Sequence, residues 1–318
     1  MNEFKLIKKY FRPLSLRNPG AFMLSDDIFF DKKNGTAIST DTYVQGTHFF
    51  NSEPKYFVKK VFRASLSDLY CKGIIPKTYF LSISLNKKLA NHDWLNKVKK
   101  ILLLEQKKFN VSLGGGDTTY SSKLSITITV MGQSKKKPVL RDGSQHDDDI
   151  YVTGNIGDSF LGLSILKKNK NFKKFNKYFK RKYFEPNIPF WITPYLNKIA
   201  SSAIDISDGL AQDLQHLCNS SKCGAFINLD LLPVSSPCDV LIKNKKIQLK
   251  KIFSNGDDYQ FLFTSSKKNR PLIQFISIKE KGKISKIGHI TKGKNIIFKY
   301  EKKKFNLNAK NMGYKHNF

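Results

Sequence analysis

Six short acidic motifs interrupt a chain that is otherwise crowded with lysine: Asp26-Asp27, Asp41, Asp68, Asp117, Asp205 with Asp208, and Asp257-Asp258. Acids are scarce here, with 25 Asp+Glu against 56 Lys+Arg and a formal charge of +31. Their grouping is therefore informative. Each motif stands beside glycines, hydroxyl residues or the end of an apolar run, and lysine is absent from the immediate cores. Such spacing marks places where a positive side chain would do harm, and coordination of a divalent cation by carboxylates is the simplest physical cause. Any fold for this chain has to put those motifs at element ends that can face one another.

The positive charge reads differently. Lysine is spread over 86–108, 135–137, 167–182, 243–251 and 279–304, and arginine, the residue suited to bidentate phosphate or base contacts, is rare. That is a compositional bias over a solvated surface, so nucleic acid is not the expected partner. The run 167–182 interleaves Phe172, Phe175, Tyr178 and Phe179 with lysines; it is either a basic patch or a segment whose aromatics pack inward. No stretch approaches the roughly 18 apolar residues of a membrane span, and the start lacks the apolar core of a secretory signal. Cys71, Cys218, Cys223 and Cys238 show no CxxC spacing and read as reduced thiols, giving a cytoplasmic expectation.

Periodicity places strands at 36–42, 78–85, 111–113 and 124–131, and helices over 55–72, ended by Gly73, and from Asn91 or His92 to about Phe109. Gly114–Gly116 reads as a turn. The segment 134–148 is the best boundary, so the expected domains are 1–137 and 138–318. Beyond it, strands are expected at 150–153, 203–206, 225–229, 259–264, 284–290 and 295–300. Helices are expected at 158–168, after Pro194, and at 209–219. Strands and helices mix in both halves of the 318 residues, which makes the class α/β (α+β) with two domains.

The motifs differ in strength. Ser39-Thr40-Asp41-Thr42 puts hydroxyls beside a carboxylate at a strand end, a hard-oxygen set suited to Mg²⁺. Gly114-Gly115-Gly116-Asp117 lets backbone N–H groups approach phosphate oxygens. In Asp205-Ile206-Ser207-Asp208-Gly209, Asp205 and Ser207 share one face of an extended segment, and Asp208 is positioned to cap the following helix. Gly154–Ser159 places a glycine turn at a helix start, either an anion site or tight strand–helix packing. There is no Walker A pattern and no kinase-type glycine loop.

Taken in order, ISTDTYVQGTHF (38–49), SLSDLYCKG (65–73), GGDTT (115–119), IYVTGNIGDS (150–159), AIDISDGL (203–210) and Gly313-Tyr314 resemble the family of aminoimidazole ribonucleotide synthetase, and within it the thiamine-monophosphate kinase branch, over nearly the whole chain. The resemblance implies the two-domain fold of that family, with the N-terminal mixed sheet forming a homodimer. It implies transfer of the γ-phosphoryl group of ATP to thiamine monophosphate, giving thiamine diphosphate, with several Mg²⁺ ions. The implied metal ligands are Asp27, Ser39, Thr40, Asp41, Asp68, Asp117, Asp205 and Asp208. The implied ATP contacts are Gly116, Asp117, Arg141 and Ser207, and the implied substrate contacts are His48, Asp257 and Tyr314. Ser25 stands where the family has a glycine, and Asp257 where it has a glutamate. No general base is assigned, because the acceptor phosphate is already ionised near neutral pH. Two other readings stand beside this one: another ATP-dependent enzyme of the same superfamily, and a basic RNA-binding protein on a retired enzyme scaffold. A first cysteine as late as Cys71 speaks against selenophosphate synthetase.

Overall fold

Strict alternation of buried and open residues runs the length of Ser125–Gln133, with Ile126, Ile128 and Val130 on one face and Thr127 and Thr129 on the other. Such a strand has one face for a core and one for something polar. It is the centre of the first of two sheets in a computed structural model that describes residues 3–307 and 313–314. That sheet comprises β1 (Phe29–Asp31), β2 (Thr36–Val44), β3 (Pro76–Leu85), β4 (Ser112–Tyr120) and β5 (Ser125–Gln133), in the order β1-β2-β5-β3-β4. All pairings are antiparallel except β3 with β4.

A helical turn α1 (Glu3–Leu6) opens the described chain, and two longer helices, α2 (Val58–Cys71) and α3 (His92–Phe109), belong to the same half as this sheet. Asn91 caps α3 by accepting from the Trp94 amide at 2.9 Å, and Asn110, at φ 51°, closes it. A buried Arg63–Glu105 pair joins α2 to α3 through two hydrogen bonds of 2.7 and 2.9 Å, and Arg63 also donates to the Pro186 carbonyl at 3.0 Å.

The glycine turn expected at 114–116 is not a turn. β4 runs through it, with an irregularity in register at Gly114, and stays paired in parallel with β3 as far as Tyr120. The glycines serve the pairing itself: a Cβ on Gly116 would come within 1.8 Å of the Leu81 carbonyl oxygen. β4 is exposed along its whole length and forms an edge of the sheet.

The second sheet contains β6 (Asp149–Thr153), β7 (Ser202–Asp205), β8 (Gly224–Asn228), β9 (Phe261–Ser265), β10 (Ile284–Thr291), β11 (Ile296–Tyr300) and β12 (Lys303–Phe305), ordered β12-β11-β8-β10-β6-β9-β7. Every residue of β6, β7 and β9 is buried, so these strands are covered on both faces. The remaining helices are α4 (Asp158–Leu166), α5 (Asn176–Phe184), α6 (Thr193–Ile199), α7 (Leu210–Ser221), α8 (Ser236–Lys243), α9 (Leu249–Phe253) and α10 (Arg270–Lys279). In the basic run, Phe172 and Phe179 are buried while the lysines stay outside, so its aromatics pack inward on α5 and it is not a flat basic platform. One hydrophobic cluster is shared between the halves, running from Ile28 and Phe62 to Phe261 and Ile276; a second belongs to the C-terminal half. α2 lies in the shared cluster, and 12 of its 14 residues are buried.

Candidate active site

Lys60, Ala64, Asp68 and Lys72 recur at intervals of four along α2 and its C-cap, which puts them on one stripe of the helix. The first three line a cleft of about 860 Å³. The acids converge on this stripe from both halves. β2 presents Ser39, Asp41 and Tyr43 on a single face: the Ser39 hydroxyl donates to Asp68, and the Tyr43 hydroxyl donates to Asp41 at 2.9 Å. At the end of β7, Asp205 accepts from the Ser67 hydroxyl at 2.7 Å. Asp27 comes from the loop before β1 and is gripped by the Arg141 guanidinium, with Nε at 3.0 Å.

These carboxylates repel one another. Burial, with Asp27 nearby, lifts Asp41 to about 6 against the Tyr43 hydrogen bond. Burial and Asp27 lift Asp205 to about 7. Asp68 is pushed well above the ordinary range by burial and then by Asp41, Asp205 and Asp27. Asp27 is the exception: burial favours its neutral form, but Arg141 and Lys72 outweigh burial and hold its pKa below the ordinary value. Among the described residues, no three acidic, thiol or imidazole groups share one coordination point as placed. The donor set itself, four carboxylates with hydroxyls and no soft ligand, fits Mg²⁺.

Sequence reasoning missed two cations. Lysine is absent from the motif cores in sequence but not in space. Lys72, fully buried, reaches Asp26 at 2.9 Å and Asp27 at 3.4 Å and donates to the Ala203 carbonyl at 2.8 Å. Burial alone would lower its pKa; Asp26 and its neighbours raise it above that of a free lysine. Lys60, 2% exposed, pairs with Asp257 at 2.9 Å. Their only sequence signal was the spacing of four and eight residues that puts Lys60 and Lys72 on the stripe of Asp68; α2 carries other polar residues as well, so that spacing does not single them out.

The remaining expected residues divide into two groups. Ser207, Asp208, His48, Asp257 and Tyr314 line the cleft with Asp27, Asp41, Asp68, Asp205 and Arg141. The His48 ring accepts from the Val44 amide at 2.9 Å, and the Tyr314 amide donates to the Asp208 carbonyl at 3.1 Å. Arg141 is the partner of Asp27 and, through its amide, of Asp26 at 2.7 Å. Asp208 is lifted to about 6 by burial and does not cap α7; Asp213 does so, accepting from the Gly209 amide at 3.0 Å.

Two residues stand apart, and Thr40 is intermediate. Thr40 lines the cleft, but its hydroxyl meets Thr129 at 2.8 Å on the face of the sheet opposite Asp41. Gly116 and Asp117 lie on β4, three strand spacings from β2, about 14 Å away. Asp117 is in register with Ser82, Thr127 and Thr42, again on the opposite face, and neither residue lines this chain's cleft. The Gly154–Ser159 turn is not an open anion site either, because Asp258 already accepts from the Gly157 amide at 2.7 Å at the start of α4.

The family model described as "AIR synthase related protein, N-terminal domain" matches residues 24–134. The fold agrees over the whole chain. Thiamine monophosphate kinase from Aquifex aeolicus superposes with a TM-score of 0.80 at 24% identity, covering 95% of this chain and 97% of that one. A structure described as AaThiL complexed with AMPPCP and TMP gives 0.83 at 23%, covering 99% and 97%. The family model and these structures together show that the chain has the AIR synthase-like fold. A thiamine-monophosphate kinase of Buchnera aphidicola from Acyrthosiphon pisum is 40% identical over 96% of this chain and 98% of its own length. That of Escherichia coli K12 is 34% identical over 84% of each. The chain belongs to the thiamine-monophosphate kinase family.

Proposed function

We propose that this chain transfers the γ-phosphoryl group of ATP to the phosphate of thiamine monophosphate in the cleft along α2, and that Asp27, Asp41, Asp68, Asp205 and Asp208 hold Mg²⁺ there. The observation that carries this reading is the convergence of mutually repelling carboxylates from β2, α2 and β7 beside Arg141. Bound Mg²⁺ would offset the repulsion between the two polyanions and stabilise charge on the transferring group. The protein's part is positional. Arg141 and Ser207 are assigned to the nucleotide, and His48, Asp257 and Tyr314 to the acceptor. Holding the two reactants in line would account for a large share of the rate without a general base. Purified protein incubated with ATP, Mg²⁺ and thiamine monophosphate should yield one ADP per thiamine diphosphate. ADP release that does not depend on thiamine monophosphate would defeat the proposal.

Asp117 and Gly116 enter through a second copy. The open face of the first sheet carries paired hydroxyls, Thr40–Thr129 at 2.8 Å, Thr42–Thr127 at 2.8 Å and Ser84–Thr119 at 2.7 Å, and β4 is an unprotected edge. A homodimer packed there would cover the face and could carry Asp117 of one copy toward the other's cleft. Mixing inactive Asp117→Asn and Asp41→Asn dimers should then restore activity, because one site of each hybrid is intact. No recovery after verified subunit exchange would exclude it. The division into domains 1–137 and 138–318 is supported by the two sheets, although their apolar cluster is shared. ATP dependence and four free thiols support a cytoplasmic setting. No helix among the described residues is long and apolar enough to cross a membrane.

A further inference from the structure

Lys60 occupies the end of the α2 stripe away from the acids, about 12 Å from Asp68 at 1.5 Å per residue. Its ammonium touches three other segments at once. It pairs with Asp257 Oδ1 at 2.9 Å, donates to the His48 carbonyl at 3.4 Å, and sits 3.6 Å from the centroid of the Tyr183 ring. The Tyr183 hydroxyl donates to the same His48 carbonyl at 3.0 Å, and the Tyr259 hydroxyl donates to the same Asp257 oxygen at 3.1 Å. α2, the turn after β2, α5 and the loop before β9 are thus joined through one buried cation.

Such a cation is costly unless it is paired and also supported by an aromatic face, and both conditions are met here. Asp257 itself is held at φ 70°, with its side chain about a quarter exposed. One side of the carboxylate is fixed to Lys60 and Tyr259, and the remainder is open to the cleft. No other lysine among the described residues lines the cleft from α2.

We propose that Lys60 is a positioning residue for the acceptor: it locks Asp257 and the His48 turn into one frame at the end of the cleft that receives thiamine monophosphate. The inference rests on the function proposed above. The Asp257 amide donates to the Ser207 carbonyl at 2.8 Å, so the frame adjoins the Asp205–Asp208 loop; Lys60 itself lies two helical turns from Asp68, so its loss should be felt mainly by the acceptor. Removing a hydrogen bond to a charged group changes affinity by about 10- to 100-fold.

The experiment compares the wild type with Lys60→Met, Asp257→Asn and the double variant, measuring KM separately for thiamine monophosphate and ATP. Lys60→Met should raise the KM for thiamine monophosphate about 10- to 100-fold and leave the KM for ATP within about twofold. The double variant should be no worse than the poorer single one, because the lysine acts through the carboxylate. An unchanged KM for thiamine monophosphate, equal rises in both constants, or additive losses in the double variant would each overturn the proposal. If circular dichroism shows that Lys60→Met does not fold, Tyr183→Phe tests the same frame. It keeps the ring and removes the donor to the His48 carbonyl, and should raise the KM for thiamine monophosphate several-fold; no rise overturns the proposal. A wild type that makes no thiamine diphosphate would sink the functional reading instead, which keeps the two failures separate.

Discussion

Asp149 opens β6 in the second sheet and Asp41 lies within β2 in the first, and the protein treats them in opposite ways. Asp149 receives the Arg270 guanidinium at 2.5 and 2.9 Å and the Lys286 ammonium at 2.8 Å. Burial would raise its pKa, but those two cations prevail and bring it to about 2. Asp41 has a tyrosine hydroxyl and other carboxylates for company, and rises to about 6. One carboxylate is finished by the fold and contributes to stability. The other is left unfinished, at a cost to stability, so that a cation from solution has somewhere to go. Sites of function are where a fold tolerates such local conflict.

The contrast should be largest in activity. Asp41→Asn or Asp68→Asn should lower turnover on the order of 10³-fold while the melting temperature stays level or rises, since each removes a like charge. A parallel loss of fold and activity would erase the distinction. Divalent cation should act on the same region. At a hundredfold excess over its Kd, Mg²⁺ should stabilise the wild type by about 2.7 kcal/mol and the Asp41→Asn/Asp68→Asn double variant by much less, as read by thermal melting with and without chelator.

The finished carboxylate should behave in reverse. Asp149→Asn should leave turnover unchanged and cost about 1–2 kcal/mol in denaturant unfolding, the lower end being favoured because Arg270 and Lys286 are roughly half exposed. Its folded pKa lies below the unfolded value, so its contribution is present above about pH 4 and is lost as pH falls toward 2. The stability gap between variant and wild type should close over that window. Smallest of all, Asp258→Ala removes the acceptor at the start of α4 and should cost about 1 kcal/mol, with the KM for ATP unchanged. A raised KM for ATP would mean that the turn does meet phosphate.

Much of this was legible because the physics was local. The α2 and α3 spans follow apolar periodicity, Asn91 supplies its own cap signal, and the alternation of 125–133 fixes which residues face the core. The acidic motifs were legible as a set because acids are rare in the chain. Gly114–Gly116 misled because glycine serves a tight turn and a close strand pairing equally well, and only the Leu81 carbonyl on the neighbouring strand decides between them. Thr40 and Asp117 sit on the far face because register across β2, β5, β3 and β4 is a long-range property. Lys60 and Lys72 were hidden by abundance: among so many solvated lysines, nothing local marks the two that are buried. Short strands such as β1 and β12 are made by tertiary pairing more than by pattern.

The near-complete enclosure of α2 sets how this enzyme fails. Its amide protons have little route to solvent short of opening the whole molecule, so deuterium uptake there should track global unfolding and not local breathing. The helix cannot fray a little and heal. A population of these molecules under stress should therefore divide into fully competent copies and fully dead ones, with few in between.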